Sequence, residues 1–170
     1  MEFKYYDISP LISSRIGVFP GDQKYERKIN MSYEMGQNLE VSAISSTLHL
    51  GAHADAPNHY HKNGEAIHQR SLSYYYGNTQ VLHVSIPRGQ AIEVLHISNI
   101  EILAPRVLFC TQSFPDPDNW NSNFCYLSPD LVEYLAEKQV RLVGIDTPSI
   151  DPEDSKELKA HHSVFNNNMA

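Results

Sequence analysis

Arg106-Val-Leu-Phe-Cys110, then Ser128-Pro-Asp-Leu-Val-Glu-Tyr-Leu135, then Val140-Arg-Leu-Val-Gly-Ile145, is the stretch whose reading decides the fold. Its first and last pieces are short runs rich in β-branched and apolar residues, which suit buried strands. Between them a helix is signalled by its own start. Ser128 offers a side-chain oxygen to the first turn, Pro129 fits the first helical position, and Asp130 suits the positive end of the helix dipole. Leu131, Val132 and Leu135 then supply an apolar stripe. Strand, helix, strand predicts a parallel pairing, because parallel strands need a long crossover.

Upstream, strands are predicted over 24–30, 41–50 and 80–86. In 41–50 the residues alternate: Ile44, Leu48 and Leu50 mark an apolar face that reads as core, and Ser45, Thr47 and His49 mark the other. Pro20-Gly21-Asp22 is a turn, a shorter helix is predicted over 89–96, and 111–124 is rich in Pro, Asn and Asp and reads as a loop. Downstream, a last helix is predicted to start at Asp151, with Pro152 at its first position and Glu153 and Asp154 in the first turn. The expectation is one α/β domain over residues 1–170, with a mixed, strand-rich sheet and flanking helices.

The chain of 170 residues is long enough for a real core, and 41% hydrophobic with 19% charged residues describes a soluble globular protein. A net charge of −7 argues against a nucleic-acid partner, which would want a basic face. No apolar run reaches membrane-spanning length, and Met1-Glu-Phe-Lys-Tyr-Tyr-Asp7 lacks the apolar stretch of a signal peptide. Cys110 and Cys125 form no metal or disulfide pattern and read as reduced residues of a cytoplasmic protein.

Function is signalled by His49-Leu-Gly-Ala-His53-Ala-Asp55-Ala-Pro-Asn-His59. His49, His53, Asp55 and His59 all fall at odd positions, so in an extended chain they would share one face. Imidazole nitrogen and carboxylate oxygen form a ligand set that suits zinc and its neighbours. The cluster is neither a zinc finger, since no cysteine is near, nor the helical His-Glu-x-x-His pattern. The residues alone imply metal-assisted hydrolysis of a small molecule. His59 reads either as a proton carrier or as a further ligand or turn residue after Pro57. His61 and His68 read as surface or pocket-rim residues, His83 and His96 as packing residues, and Asp146 as a pocket residue or a loop cap. Ten tyrosines, Tyr74, Tyr75 and Tyr76 among them, suit an aromatic pocket or a core.

Residues 49–59 resemble the signature His-x-Gly-Thr-His-x-Asp-x-Pro-x-His of the metal-dependent cyclase-like hydrolases, above all the bacterial kynurenine formamidases (arylformamidases), with Ala52 where threonine is usual. Phe19-Pro20-Gly21-Asp22, the block Val143 to Pro152 and the segment Ser155 to His161 are similar to further parts of that family. The resemblance implies a cyclase-like fold of the swivelling β/β/α type. It implies His49, His53 and Asp55 as metal ligands, His161 as a second-site ligand, and His59 as the catalytic histidine. One or two divalent ions are implied, with zinc the first expectation and manganese the second. It also implies a glutamate about a dozen residues beyond His161 that completes a second site, with strands after it. The chain ends at Ala170, so the expectation is a domain lacking those C-terminal strands, its second ion and full activity in question. The implied reaction is hydrolysis of N-formylkynurenine to kynurenine and formate, a step of tryptophan catabolism. A related cyclic amide or lactone hydrolase of isatin type would use the same ligands, and a non-catalytic metal-binding protein is the alternative of a different class. A homo-oligomer, first a dimer, is expected from the uncovered edge that missing strands would leave.

Overall fold

Parallel pairing around the stretch 106–145 is what the structure, a computed structural model, displays. It describes residues 4–170; the first three residues quoted in the reading of the N-terminus lie outside it. The described residues fall into two compact units. One runs to His53 and includes Asp116–Trp120; the other holds Ala54–Pro115 and Asn121–Ala170.

The first unit is built on a hairpin of β1 (Glu26–Met31) and β2 (Val41–Ser45), paired antiparallel with an irregularity between Ile29 and Met31. Between them a single 3-10 turn over Tyr33–Met35 is capped by the Ser32 hydroxyl and closed by Gly36 at φ 77°, a left-handed position that favours glycine. Gly17 donates to the Pro117 carbonyl at 2.7 Å, Arg15 pairs with Asp118 at 3.2 Å, and the Phe19 and Trp120 rings meet edge to face at 5.4 Å. The expectation for 41–50 fails here in two ways. The strand stops at Ser45, and its even face is not core, since Ile44 is 67% and Leu48 91% exposed. Alternation reports only that one face is apolar. A two-stranded ribbon has no second layer of its own to bury that face.

The second unit opens with a one-turn helix, α1 (Pro57–Tyr60), followed by β3 (Gln80–His83), β4 (Ala91–Ile92), β5 (Arg106–Cys110), β6 (Tyr126–Leu127), α2 (Pro129–Glu137), β7 (Leu142–Ile145) and α3 (Lys159–Asn166). β5 is the centre of a parallel sheet ordered β3-β5-β7, and β4 pairs with β6 in a separate parallel ribbon. The α/β, strand-rich architecture is thus as expected, with parallel and antiparallel pairings kept in separate sheets. Val107 and Phe109 of β5 are buried against Leu131, Val132 and Leu135 of α2 and Val164 of α3 in one core cluster. Gly144 of β7 leaves room for Leu108, whose Cδ2 would lie 2.5 Å from a Cβ there. Among the described residues no helix is long and apolar enough to cross a membrane.

α2 begins as the sequence predicts. The Ser128 hydroxyl accepts from Leu131 N at 3.1 Å. The helix stops because Gln139 takes a left-handed φ of 63°, which lets Val140 N reach the Leu135 carbonyl at 3.0 Å. Ser128→Ala removes a cap and is expected to cost about 1 kcal/mol, read as a lower urea midpoint with an unchanged slope.

Two predicted helices are corrected. Residues 89–96 hold β4 and a 3-10 turn over Val94–His96, not a helix; the span is too short to repay helix nucleation, and the edge of β6 captures Ala91 and Ile92. The last helix starts at Lys159, not Asp151. Pro152 begins only one turn, closed by Ser155 N on the Pro152 carbonyl at 2.9 Å. The Asp151 carboxylate serves Ala160 N and His161 N instead of the next residues in the chain.

Candidate functional site

The sequence between Gly51 and Tyr60 cannot stay extended. Gly51 has φ 59°, and Pro57, preset for helix and preceded by an extended Ala56, starts α1. The shared phase of the four odd positions is therefore lost, and the ligand-type side chains are placed by turns. His49 and His53 close the first unit, where His49 Nδ1 and His53 Nε2 are 3.2 Å apart and His53 Nδ1 lies 2.9 Å from the Gly51 carbonyl oxygen. Asp55 and His59 open the second unit, one on each side of Pro57.

Within that second unit α3 returns to the same place. His161 stands in its first turn, 5% exposed, with Nε2 3.7 Å from Asp55 Oδ2. The His59 ring lies 6.4 Å from the His161 ring and the Tyr60 ring 5.1 Å from it. Asp55, His59 and His161, distant in sequence, are thus brought together. Tyr60 is buried beneath them; burial first, then the Asp55 carboxylate, push its phenol up to about 12, so the hydroxyl stays neutral at physiological pH.

His161 is also held from behind. Its Nδ1 is 2.6 Å from Asp151 Oδ2, and Asp151 is only 3% exposed. Burial alone would lower the His161 imidazole, but hydrogen bonds to Asp151 and Asp55 carry it above its ordinary value. Burial likewise works to raise Asp151, and the His161 ring with two backbone N–H groups overcomes that and holds the carboxyl below its usual range. In the sequence Asp151 carries only a helix-start signal, and Tyr60 carries no signal of a role at the site. The only trace of Asp151's task is that Leu158, the residue capping α3, has no polar side chain.

The remaining expectations divide. Asp146 is a loop cap, accepting from Thr111 N, Thr111 Oγ1 and Gln112 N at 2.7–3.0 Å. His61 stacks on Phe165 at 3.8 Å, and His68 is exposed. His83 and His96 are not core packing residues: His83 is exposed, since its strand neighbours Leu82 and Val84 take the buried face, and the His96 ring accepts from Glu93 N at 2.9 Å. Of the tyrosine run, Tyr76 is 86% exposed, whereas Tyr74 and Tyr75 are half-buried.

Oxygen and nitrogen donors gathered this way, with the exposed His59 ring alongside, suit a divalent ion and a proton carrier acting on a carbonyl compound. A family described as "Putative cyclase" matches residues 6–152. Among solved structures, one described as a "Potential Metal-Dependent Hydrolase With Cyclase Activity" is 25% identical with a TM-score of 0.79, covering 96% of this chain and 77% of that one. A predicted metal-dependent hydrolase from Bacillus stearothermophilus is 24% identical, TM-score 0.78, over 96% of this chain and 78% of that one. An isatin hydrolase bound to the product analogue thioisatinate shares the fold at 15% identity, TM-score 0.69, over 96% and 76%.

Proposed function

We propose that this chain, which belongs to the cyclase family, is a metal-dependent hydrolase that cleaves the formamide of N-formylkynurenine. The observation that carries the reading is the meeting of Asp55 Oδ2 and His161 Nε2 at 3.7 Å, beside the His59 ring. A carboxylate and an imidazole nitrogen converging from remote parts of a sequence is a donor set that fits a divalent ion. The similarity to proteins described as metal-dependent hydrolases supports it. We assign His49, His53 and Asp55 as the ligands of such an ion, with His161 added at a second position, and zinc ahead of manganese.

A divalent ion there would polarise the formyl carbonyl and make water acidic enough to give up a proton near neutrality. The chain's own residues do the rest. His59 is exposed, so its ring can reach solvent and substrate. It takes one proton from water as the oxygen bonds to the formyl carbon, and it returns a proton to the aromatic amine nitrogen as the C–N bond breaks. The products are a free amine and formic acid, which releases one proton to solvent as formate, so atoms and charge balance. The Tyr60 hydroxyl, its pKa raised by burial and then by the Asp55 charge, keeps its proton.

Substrate profiling of the zinc-loaded protein tests the assignment. Kynurenine release from N-formylkynurenine is expected, with little ring opening of isatin. Faster opening of isatin moves the function to cyclic amides, and metal retention without turnover of either makes the protein a non-catalytic metal binder.

The ligand assignment has its own test. His53→Ala is expected to lower the bound metal in elemental analysis to a small fraction of the parent's, and unchanged content would sink it.

We further propose a cytoplasmic dimer. Cys110 and Cys125 are free thiols, as in a reducing compartment. The β1–β2 ribbon leaves Ile29 50%, Val41 42% and Ile44 67% exposed, and contiguous exposed apolar surface marks interfaces. Light scattering is expected to return twice the chain mass; a monomer at high concentration would contradict it.

A further inference from the structure

We propose that Asp151 is a positioning residue that fixes the tautomer of His161, keeping the proton on Nδ1 and the Nε2 lone pair directed to the ion; this rests on His161 holding an ion, as assigned above. A carboxylate only accepts, so a neutral His161 ring whose Nδ1 lies 2.6 Å from Asp151 Oδ2 carries its one proton there. Nε2 is then left as an acceptor, on the side facing Asp55 Oδ2 at 3.7 Å. The Asp151 carboxylate cannot turn away. Its Oδ1 accepts from Ala160 N at 3.1 Å and its Oδ2 from His161 N at 3.0 Å. Its backbone is held as well: Asp151 N donates to Ser149 Oγ at 3.1 Å, and the preceding Ile150 carbonyl accepts from Leu127 N of β6 at 3.0 Å. Sheet ribbon, loop, carboxylate and imidazole therefore form one connected support behind a ring that is itself 5% exposed. Such partners behind a ligating histidine orient the ring and raise its affinity for metal.

The rival is that Asp151 only caps α3, whose own capping residue Leu158 sits at φ 45° with no side-chain bond. Two measurements on the full chain separate them. The first uses the metal-free parent at a pH above the His161 titration, with long-range proton–nitrogen NMR of the ring. A proton on Nδ1 is expected, and a proton on Nε2 overturns the proposal without any variant having to fold. The second titrates zinc alone, against a chelator, into the parent, Asp151→Asn, His161→Ala and the double variant. Asp151→Asn is expected to weaken zinc about 10–100-fold, since the amide has no charge to raise the basicity of the ring and can keep its oxygen on Nδ1 only by turning its NH₂ against Ala160 N. In the His161→Ala background the same change is expected to add nothing. Equal zinc affinity in Asp151→Asn, or an undiminished further loss in the His161→Ala background, makes Asp151 a helix cap alone. If His161→Ala itself binds zinc as the parent does, the ligand assignment falls, and this role with it.

Discussion

His59→Ala is expected to lower turnover of the zinc-loaded protein by about 10²–10⁴-fold, the range for losing a positioned general acid–base, while the bound metal stays at the parent's level. The placement of the residue is the reason. It stands on the exposed side of α1, whose buried side is taken by Pro57 and Tyr60. Its ring approaches the buried His161 ring at 6.4 Å, close enough to serve the same substrate. An imidazole ring can both accept a proton and return one, as a general acid–base must. Turnover by stopped assay and metal by elemental analysis are read on the same sample. Loss of metal would make His59 a ligand. Retention of both metal and full activity would send the proton through another group.

The parallel pairing of β5 and β7 and the start of α2 were legible in the sequence because each rests on local rules: β-branched runs, a serine cap, a proline at the first helical position. The ligand-type residues of 49–59 were legible by chemistry, but their placement was not. Odd positions share a face only in an extended chain, and Gly51 and Pro57 replace that chain with turns. Asp151 was misplaced for a related reason. A helix-start signal names residues that can cap, and it cannot tell which N–H groups will be within reach after folding; here they lie nine and ten residues on. The burial of the 41–50 face failed because alternation fixes sidedness only. Whether a layer covers that side is a long-range matter.

Gly64→Ala tests how tightly the loop after α1 sets the site, and both stability and turnover are expected to fall. Gly64 N donates to the His61 carbonyl at 2.8 Å, and the next carbonyl, of Glu65, accepts from Asn58 N at 3.1 Å, so the loop folds back on the start of α1. A Cβ at Gly64 would come within 3.0 Å of the Pro57 carbonyl carbon and oxygen, and would lie 2.5 Å from Asn58 N. All three are backbone atoms, which cannot swing aside as the end of a flexible side chain can. The added methyl must therefore push α1 or break the Asn58–Glu65 bond, at a cost of about 3 kcal/mol, the upper end for overpacking. Asp55 and His59 lie two residues to either side of Pro57, so the displacement reaches both. A misplacement of about 1 Å in a catalytic group costs on the order of 10²-fold, and that loss is expected in kcat at temperatures where the variant is still folded. Denaturant unfolding measures the first effect and steady-state kinetics the second. A variant as stable as the parent means the loop can open to take a methyl. A destabilised variant with full kcat means that the loop holds the fold but not the geometry of Asp55 and His59.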